Sequence, residues 1–288
     1  MPLIPLRNES EDQFPLPAFA RRRYGRFGFP ALPARRSYCS SNFVQTLDGI
    51  VSYRDLPGRG TAREISGGSA EDRWVAQLLH AHHDALLLGA GTLREEPARD
   101  GRGYDYGRLA PFWRAYRRRV LGRERSLVII LTASGDLDLE ARLFAAPATE
   151  TWILTTETGA RRLQRQAAPP VPPRIVALGR GLLAPAELLR WLRGQGVNRV
   201  LCESGPTLYA QFFGAGLVDE EFRTIALQVA GVAPPPAPAR PTAYDQLSFR
   251  PESAPWERVI SVHVAPPHHI FLRLRRAGRA AHGSPHRV

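Results

Sequence analysis

Two acidic residues stand where they could do chemistry. Asp48, in Thr46-Leu47-Asp48-Gly49, and Glu203, in Glu203-Ser204-Gly205-Pro206-Thr207-Leu208, each follow a strand-like run. At the carboxyl end of a strand a side chain faces the edge where open α/β sheets bind ligands. A carboxylate there can move a proton or orient a polar substrate. A turn Asp before Gly, and a capping Glu, are the structural readings of the same residues. Between them, Gly89-Ala90-Gly91-Thr92 ends the apolar run that begins at Asp84. Glycines in that place let backbone amides converge on an anion with a helix dipole behind them; a tight strand-to-helix turn needs the same residues. Ser204-Gly205-Pro206-Thr207 repeats the geometry, so two turns on adjacent strands would straddle a pyrophosphate. Thr132-Ala133-Ser134-Gly135 ends a further strand with hydroxyls suited to phosphate or ribose, or with a simple turn. A nucleotide cofactor site is therefore expected. The G-x-G-x-x-G fingerprint is absent because Arg94 stands at its third glycine, which disfavours an ordinary Rossmann dinucleotide fold.

The elements that must position these residues alternate. Strands are expected at Tyr38 to Thr46, Ala85 to Leu88, Leu127 to Leu131, Trp152 to Leu154, Ile175 to Ala177, Val197 to Cys202 and Glu221 to Val229. Helices are expected from a capping-box-like Ser69 and Asp72 to His82, at 108–121 with an exposed basic face, at Gly159 to Gln166, from Pro185 to Arg193 and from Pro206 to Phe213. Val259 to Val264 and Ile270 to Leu274 read as a closing antiparallel hairpin. The expected fold is α/β: a mainly parallel central sheet with flanking helices and a C-terminal antiparallel hairpin. Residues 1–36, with six prolines and the run Arg21-Arg22-Arg23, read as an extended Pro/Arg-rich arm; 37–275 form the domain, and 276–288 a basic tail.

Composition excludes several classes. All 39 basic residues are Arg, so a Lys Schiff base, a P-loop lysine and a lysine base are ruled out. The net charge of +12 suggests nucleic acid, but residues 21–36 and 273–288 carry eleven of those charges, which reads as solvated arms on a nearly neutral body. Cys39 and Cys202 fall in strands and read as inert buried thiols. His80 and His83 share a helix face but have no second ligand motif, so no metal is expected. No apolar run is long enough to cross a membrane and no secretory leader is visible, so a cytoplasmic protein is expected.

Five motifs in register resemble the pyrimidine reductase of riboflavin biosynthesis, a family with the dihydrofolate reductase-like fold: Asn42-Phe43-Val44-Gln45-Thr46-Leu47-Asp48-Gly49, Asp84 through Arg94, Thr132 to Gly135, Glu203 to Glu220 and Phe271-Leu272-Arg273. The resemblance implies a homodimer that uses NADPH to reduce the ribosylamino side chain of 5-amino-6-(5-phosphoribosylamino)uracil. It implies that Gly89, Ala90, Gly91 and Thr92 with Gly205, Pro206, Thr207 and Leu208 hold the cofactor phosphates, that Thr132 and Ser134 lie along its adenosine half, and that Val44 flanks the nicotinamide. Asp48 would be catalytic at the hydride-transfer centre and Glu203 would contact the pyrimidine or its ribose. Asn42, Thr46, Ser66, His80, Arg94 and Arg99 would face the substrate. His80 stands where many members carry an Arg, and Glu95-Glu96-Pro97 replaces the usual Asp-Asp-Pro, so Arg94 or Arg99 would serve the substrate phosphate. The His-x-Glu and Pro-Cys-x-x-Cys elements of the fused zinc deaminase are absent, which implies a stand-alone reductase. The alternatives are the same fold acting on a pterin or another carbonyl or imine compound, and a non-catalytic nucleotide-binding protein.

Overall fold

A computed structural model describes residues 3–56, 62–95 and 107–277. The chain opens with β1 (Ile4–Asn8), α1 (Ala18–Tyr24), β2 (Tyr38–Thr46), α2 (Ala62–Ile65), α3 (Ala70–His82), β3 (Ala85–Gly89) and α4 (Ala90–Glu95). It continues through α5 (Pro111–Leu121), β4 (Ser126–Thr132), β5 (Thr149–Thr155), α6 (Glu157–Leu163) and β6 (Arg174–Ala177). The last elements are α7 (Pro185–Gly194), β7 (Arg199–Cys202), α8 (Pro206–Gly214), β8 (Glu220–Ala226), β9 (Glu257–Ala265) and β10 (His269–Arg276). They build one ten-stranded sheet in the order β1-β9-β10-β8-β2-β7-β3-β4-β5-β6. From β8 to β6 the strands are parallel; β10, β9 and β1 close the other edge antiparallel. The fold class expected from the sequence is the one that forms.

Alternation along the strands feeds two cores. Leu86, Leu88, Val128 and Ile130 face α3 and α5 on one side, while Leu87, Ile129 and Leu131 face α7 and α8 on the other. Burial on both faces explains why β3 and β4 read as continuous apolar runs. Because β7 enters between β2 and β3, their carboxyl ends converge, and the turns after β3 and β7 become neighbours.

The segment 3–36 differs from the expected arm. β1 pairs with β9, and Phe14, Phe27 and Phe29 lie in the core against His82 and Tyr38. The prolines shape a path over the sheet, and the aromatics among them supply the burial that holds it there. Arg273, fully buried, is shared between Glu220 (2.6 Å), the Gly28 carbonyl (2.6 Å) and Ser10 (2.9 Å), which ties this segment to β8 and β10.

The expected exposed basic face of the 108–121 helix forms at Arg118 and Arg119, with one departure. Arg117 is buried and donates to the carbonyls of His80 (2.8 Å), His83 and Asp84 (2.9 Å). These are acceptors that the end of α3 leaves open, and a cation suits that pole of the helix. Burial lowers the Arg117 pKa to about 10.

Candidate active site

Two adjoining cavities open at the carboxyl ends of β2, β7, β3 and β4, sharing Thr92, Gly205 and Pro206. The first, about 220 Å³, is lined by Asn42 and Val44 of β2, by Glu203 after β7, and by Asp72, Ala76 and His80 of α3. The three α3 residues are spaced by four, so one helix face turns toward the cleft. Glu203 is held from two sides: Asn42 Nδ2 donates to Oε1 at 2.9 Å, and His80 Nε2 lies 2.9 Å from Oε2.

The two carboxylates of this cavity are pushed apart in acidity. Burial works against the charge on Glu203, but His80 and the Asn42 amide outweigh it and its pKa is lowered. Asp72 goes the other way: burial raises its pKa against the opposing Thr224 hydroxyl and His269, and the nearby Glu203 charge adds a smaller rise. The environment thus shifts the two carboxyl groups in opposite directions. The sequence assigned Asp72 to a capping box. Ser69 does accept from the Asp72 amide (3.1 Å), but the Ser69 amide is satisfied by the Ser66 carbonyl (3.1 Å), which leaves the Asp72 side chain to the cleft. The stripe Asp72, Ala76, His80 was the signal that could have found it.

The second cavity, about 340 Å³, collects Gly89, Ala90, Gly91, Thr92, Thr132, Ser134, Gly205, Pro206, Thr207 and Leu208. The Gly205 amide donates to Thr92 Oγ1 at 2.8 Å, so the two turns are joined by a hydrogen bond. A Cβ at Gly91 would meet nothing within 4 Å, which leaves room for a ligand at that backbone. Thr132 is turned inward: its hydroxyl accepts from the Gly135 amide at 3.1 Å. This 132–135 wall rests on the start of α6, where Thr156 Oγ1 donates to the Ala133 carbonyl at 2.7 Å. At Gly159 an added Cβ would lie 2.0 Å from Thr155 Oγ1 and 2.8 Å from the Ala133 carbonyl oxygen. Gly159→Ala is therefore expected to cost about 1–3 kcal/mol in a urea melt and to weaken nucleotide binding, as the wall is displaced.

Several expected site residues lie elsewhere. Asp48 is exposed and outside both cavities; its carboxylate accepts from Thr46 Oγ1 (2.5 Å) and the amides of Ala230 (3.0 Å) and Gly231 (2.7 Å). Although desolvation opposes it, those donors hold its pKa at about 2. An acid so strong is unsuited to give a proton near neutrality, and these three donors tie the Asp48 carboxylate to its turn. Thr46 is engaged in the same turn. Ser66 lines a separate cavity beside the β9–β10 turn, and its hydroxyl donates to the Arg63 carbonyl at 3.2 Å. Arg94, expected at the substrate phosphate, lines the second cavity instead and donates to the Asp136 carbonyl at 3.1 Å. Arg99 lies outside the described residues. His83 turns away from His80, to Ser40 Oγ at 3.1 Å.

Residues 37–242 match the family model of the RibD C-terminal domain. No curated protein matches the sequence. Among solved structures, a pyrimidine reductase-like protein of Corynebacterium diphtheriae is 18% identical with a TM-score of 0.63, covering 90% of this chain and 98% of that one. The deaminase/5-amino-6-(5-phosphoribosylamino)uracil reductase of Thermotoga maritima is 16% identical with a TM-score of 0.59, over 84% of this chain and 57% of that chain. The riboflavin biosynthesis reductase of Saccharomyces cerevisiae is 14% identical with a TM-score of 0.55, over 86% of this chain and 93% of that one. These likenesses show a shared fold, and this chain spans just over half of the Thermotoga protein. The resemblance read from the five motifs is borne out: the chain belongs to the RibD C-terminal domain family.

Proposed function

We propose that this protein is an NADPH-dependent reductase of the ribosylamino side chain of 5-amino-6-(5-phosphoribosylamino)uracil, giving the ribitylamino compound. The observation that carries the reading is a cavity lined by Glu203, Asp72 and His80 that adjoins, across the Thr92–Gly205 hydrogen bond, a second cavity of about 340 Å³ lined by the two glycine turns. The second cavity would hold the cofactor phosphates along Gly89, Ala90, Gly91 and Thr92 and along Gly205, Pro206, Thr207 and Leu208, with Ser134 and the inward-turned Thr132 on the adenosine side. Val44, in the wall of the first cavity, gives the nicotinamide an apolar face.

When bound, the cofactor supplies the hydride that adds to the sugar carbon of the opened ribosylimine. Asp72, whose pKa burial raises, is placed to give the proton that the imine nitrogen needs and to regain one from solvent. Glu203, ionised and oriented by Asn42 and His80, accepts from the substrate's N–H or hydroxyl groups and fixes its register. The family resemblance extends this reading to a cytoplasmic homodimer; within the described residues no helix is long and apolar enough to cross a membrane.

The test is NADPH consumption with the pyrimidine generated in the cuvette by a separate deaminase. Turnover carries the reading. Binding of NADPH without turnover would leave the cofactor half and move the search to other imines or carbonyls.

A further inference from the structure

Resting on the second cavity as the cofactor site, the geometry points to Arg54 as a cofactor-binding residue that grips the pyrophosphate from the side facing Thr207. A phosphate diester pair needs cations, and this chain has no lysine. Among the described residues, the cations lining this cavity are Arg54 and Arg94. Arg94 belongs to the 132–136 turn, through its bond to the Asp136 carbonyl. Arg54 belongs to the other side: its Nη1 lies 3.9 Å from Asp245, and the same Asp245 oxygen accepts from Thr207 Oγ1 at 3.4 Å.

The surroundings of Arg54 fix its backbone and leave its head free. On one flank Asp55 is held by a two-point pair with Arg240 (2.9 and 2.7 Å), and on the other the Tyr53 ring lies 4.9 Å beneath the same guanidinium. The Val51 amide donates to the Pro241 carbonyl at 3.0 Å. Arg54 itself is a third exposed, and its contact with Asp245 is longer than a hydrogen bond. Arg117, Arg223 and Arg273, by contrast, are buried and committed to protein partners. An arginine that lines this cavity with its ion-pair partner beyond hydrogen-bond distance can exchange that partner for a phosphate at small ordering cost.

The test is equilibrium binding to the full chain, with NADPH, NADH and adenosine 2′-monophosphate as probes; the last lacks the pyrophosphate. Arg54→Gln is expected to weaken NADPH and NADH alike, each roughly tenfold, and to leave adenosine 2′-monophosphate unchanged. Arg54→Lys, which keeps the charge and loses the fork, is expected to fall between. Unchanged binding of both dinucleotides by Arg54→Gln would overturn the assignment, as would an equal loss for adenosine 2′-monophosphate, which would move Arg54 to the adenosine end. A folded parent that binds neither dinucleotide would remove the cofactor reading itself, and the role of Arg54 with it.

Discussion

Asp72→Asn is expected to lower turnover by about 10²–10⁴-fold while NADPH binds within about twofold of the parent. The carboxamide keeps the shape of the side chain and its contact with Thr224 but has no proton to give. The pH profile makes the role specific. Asp72 has a raised pKa, chiefly from burial, so the active protonated form is lost as pH rises through that value. Activity of the parent should fall along that limb, and the limb should be missing from whatever rate the variant retains. Stability should move the other way. A carboxyl whose pKa is raised on folding opposes folding once pH exceeds its unfolded value. The Asn variant escapes that cost, so its melting temperature at pH 8 should equal or exceed the parent's. A fully active Asp72→Asn would remove Asp72 as the proton source.

Glu220→Gln is expected to cost about 3–5 kcal/mol, the typical result of removing one partner of a buried ion pair. Glu220 is fully buried and takes two donors from each of two arginines: Arg273 at 3.1 and 2.6 Å and Arg275 at 2.8 and 2.6 Å. Neutralising it leaves two guanidinium groups without their shared counter-charge. Arg273 is also the residue through which Ser10 and Gly28 are held, so loosening of 3–36 should accompany the loss. A lower urea midpoint, with early hydrogen exchange in β1 and around Phe27, is the expected pattern. Replacing Glu220 and Arg273 together by apolar residues of similar volume should recover much of the loss, since the penalty lies in the charge left behind. An unchanged midpoint in the single variant would show that this network does not hold the segment in place.

Much of the scaffold was legible in the chain. The parallel strands from β2 to β8 and the closing hairpin follow from apolar runs bounded by Gly and Pro, and residue contents at strand ends pointed to Gly89–Thr92, Gly205–Leu208 and Glu203. These are local signals, since a strand buried on both faces and a turn that needs glycine leave their mark within a few residues. His80, expected at the substrate through the family resemblance, lines the first cavity against Glu203, 123 residues away.

What the linear pattern did not show depended on distance in the chain. Asp48 and Asp72 both sit in ordinary local motifs, a turn and a helix start, and nothing beside them says which carboxylate meets the cleft. That was decided when the backbone of 230–231 came to cap Asp48 and when β8 placed Thr224 behind Asp72. In the same way the prolines of 3–36 suggested an arm, while the sheet edge of β9 and the buried charge of Glu220 made that segment part of the core. The sequence by itself determined the parallel strands from β2 to β8, the closing hairpin, the glycine turns and the family. Only the tertiary structure brought Asp72 and Glu203 into one cavity and shifted their acidities in opposite directions, because acidity depends on desolvation and on neighbouring charges brought from remote parts of the chain.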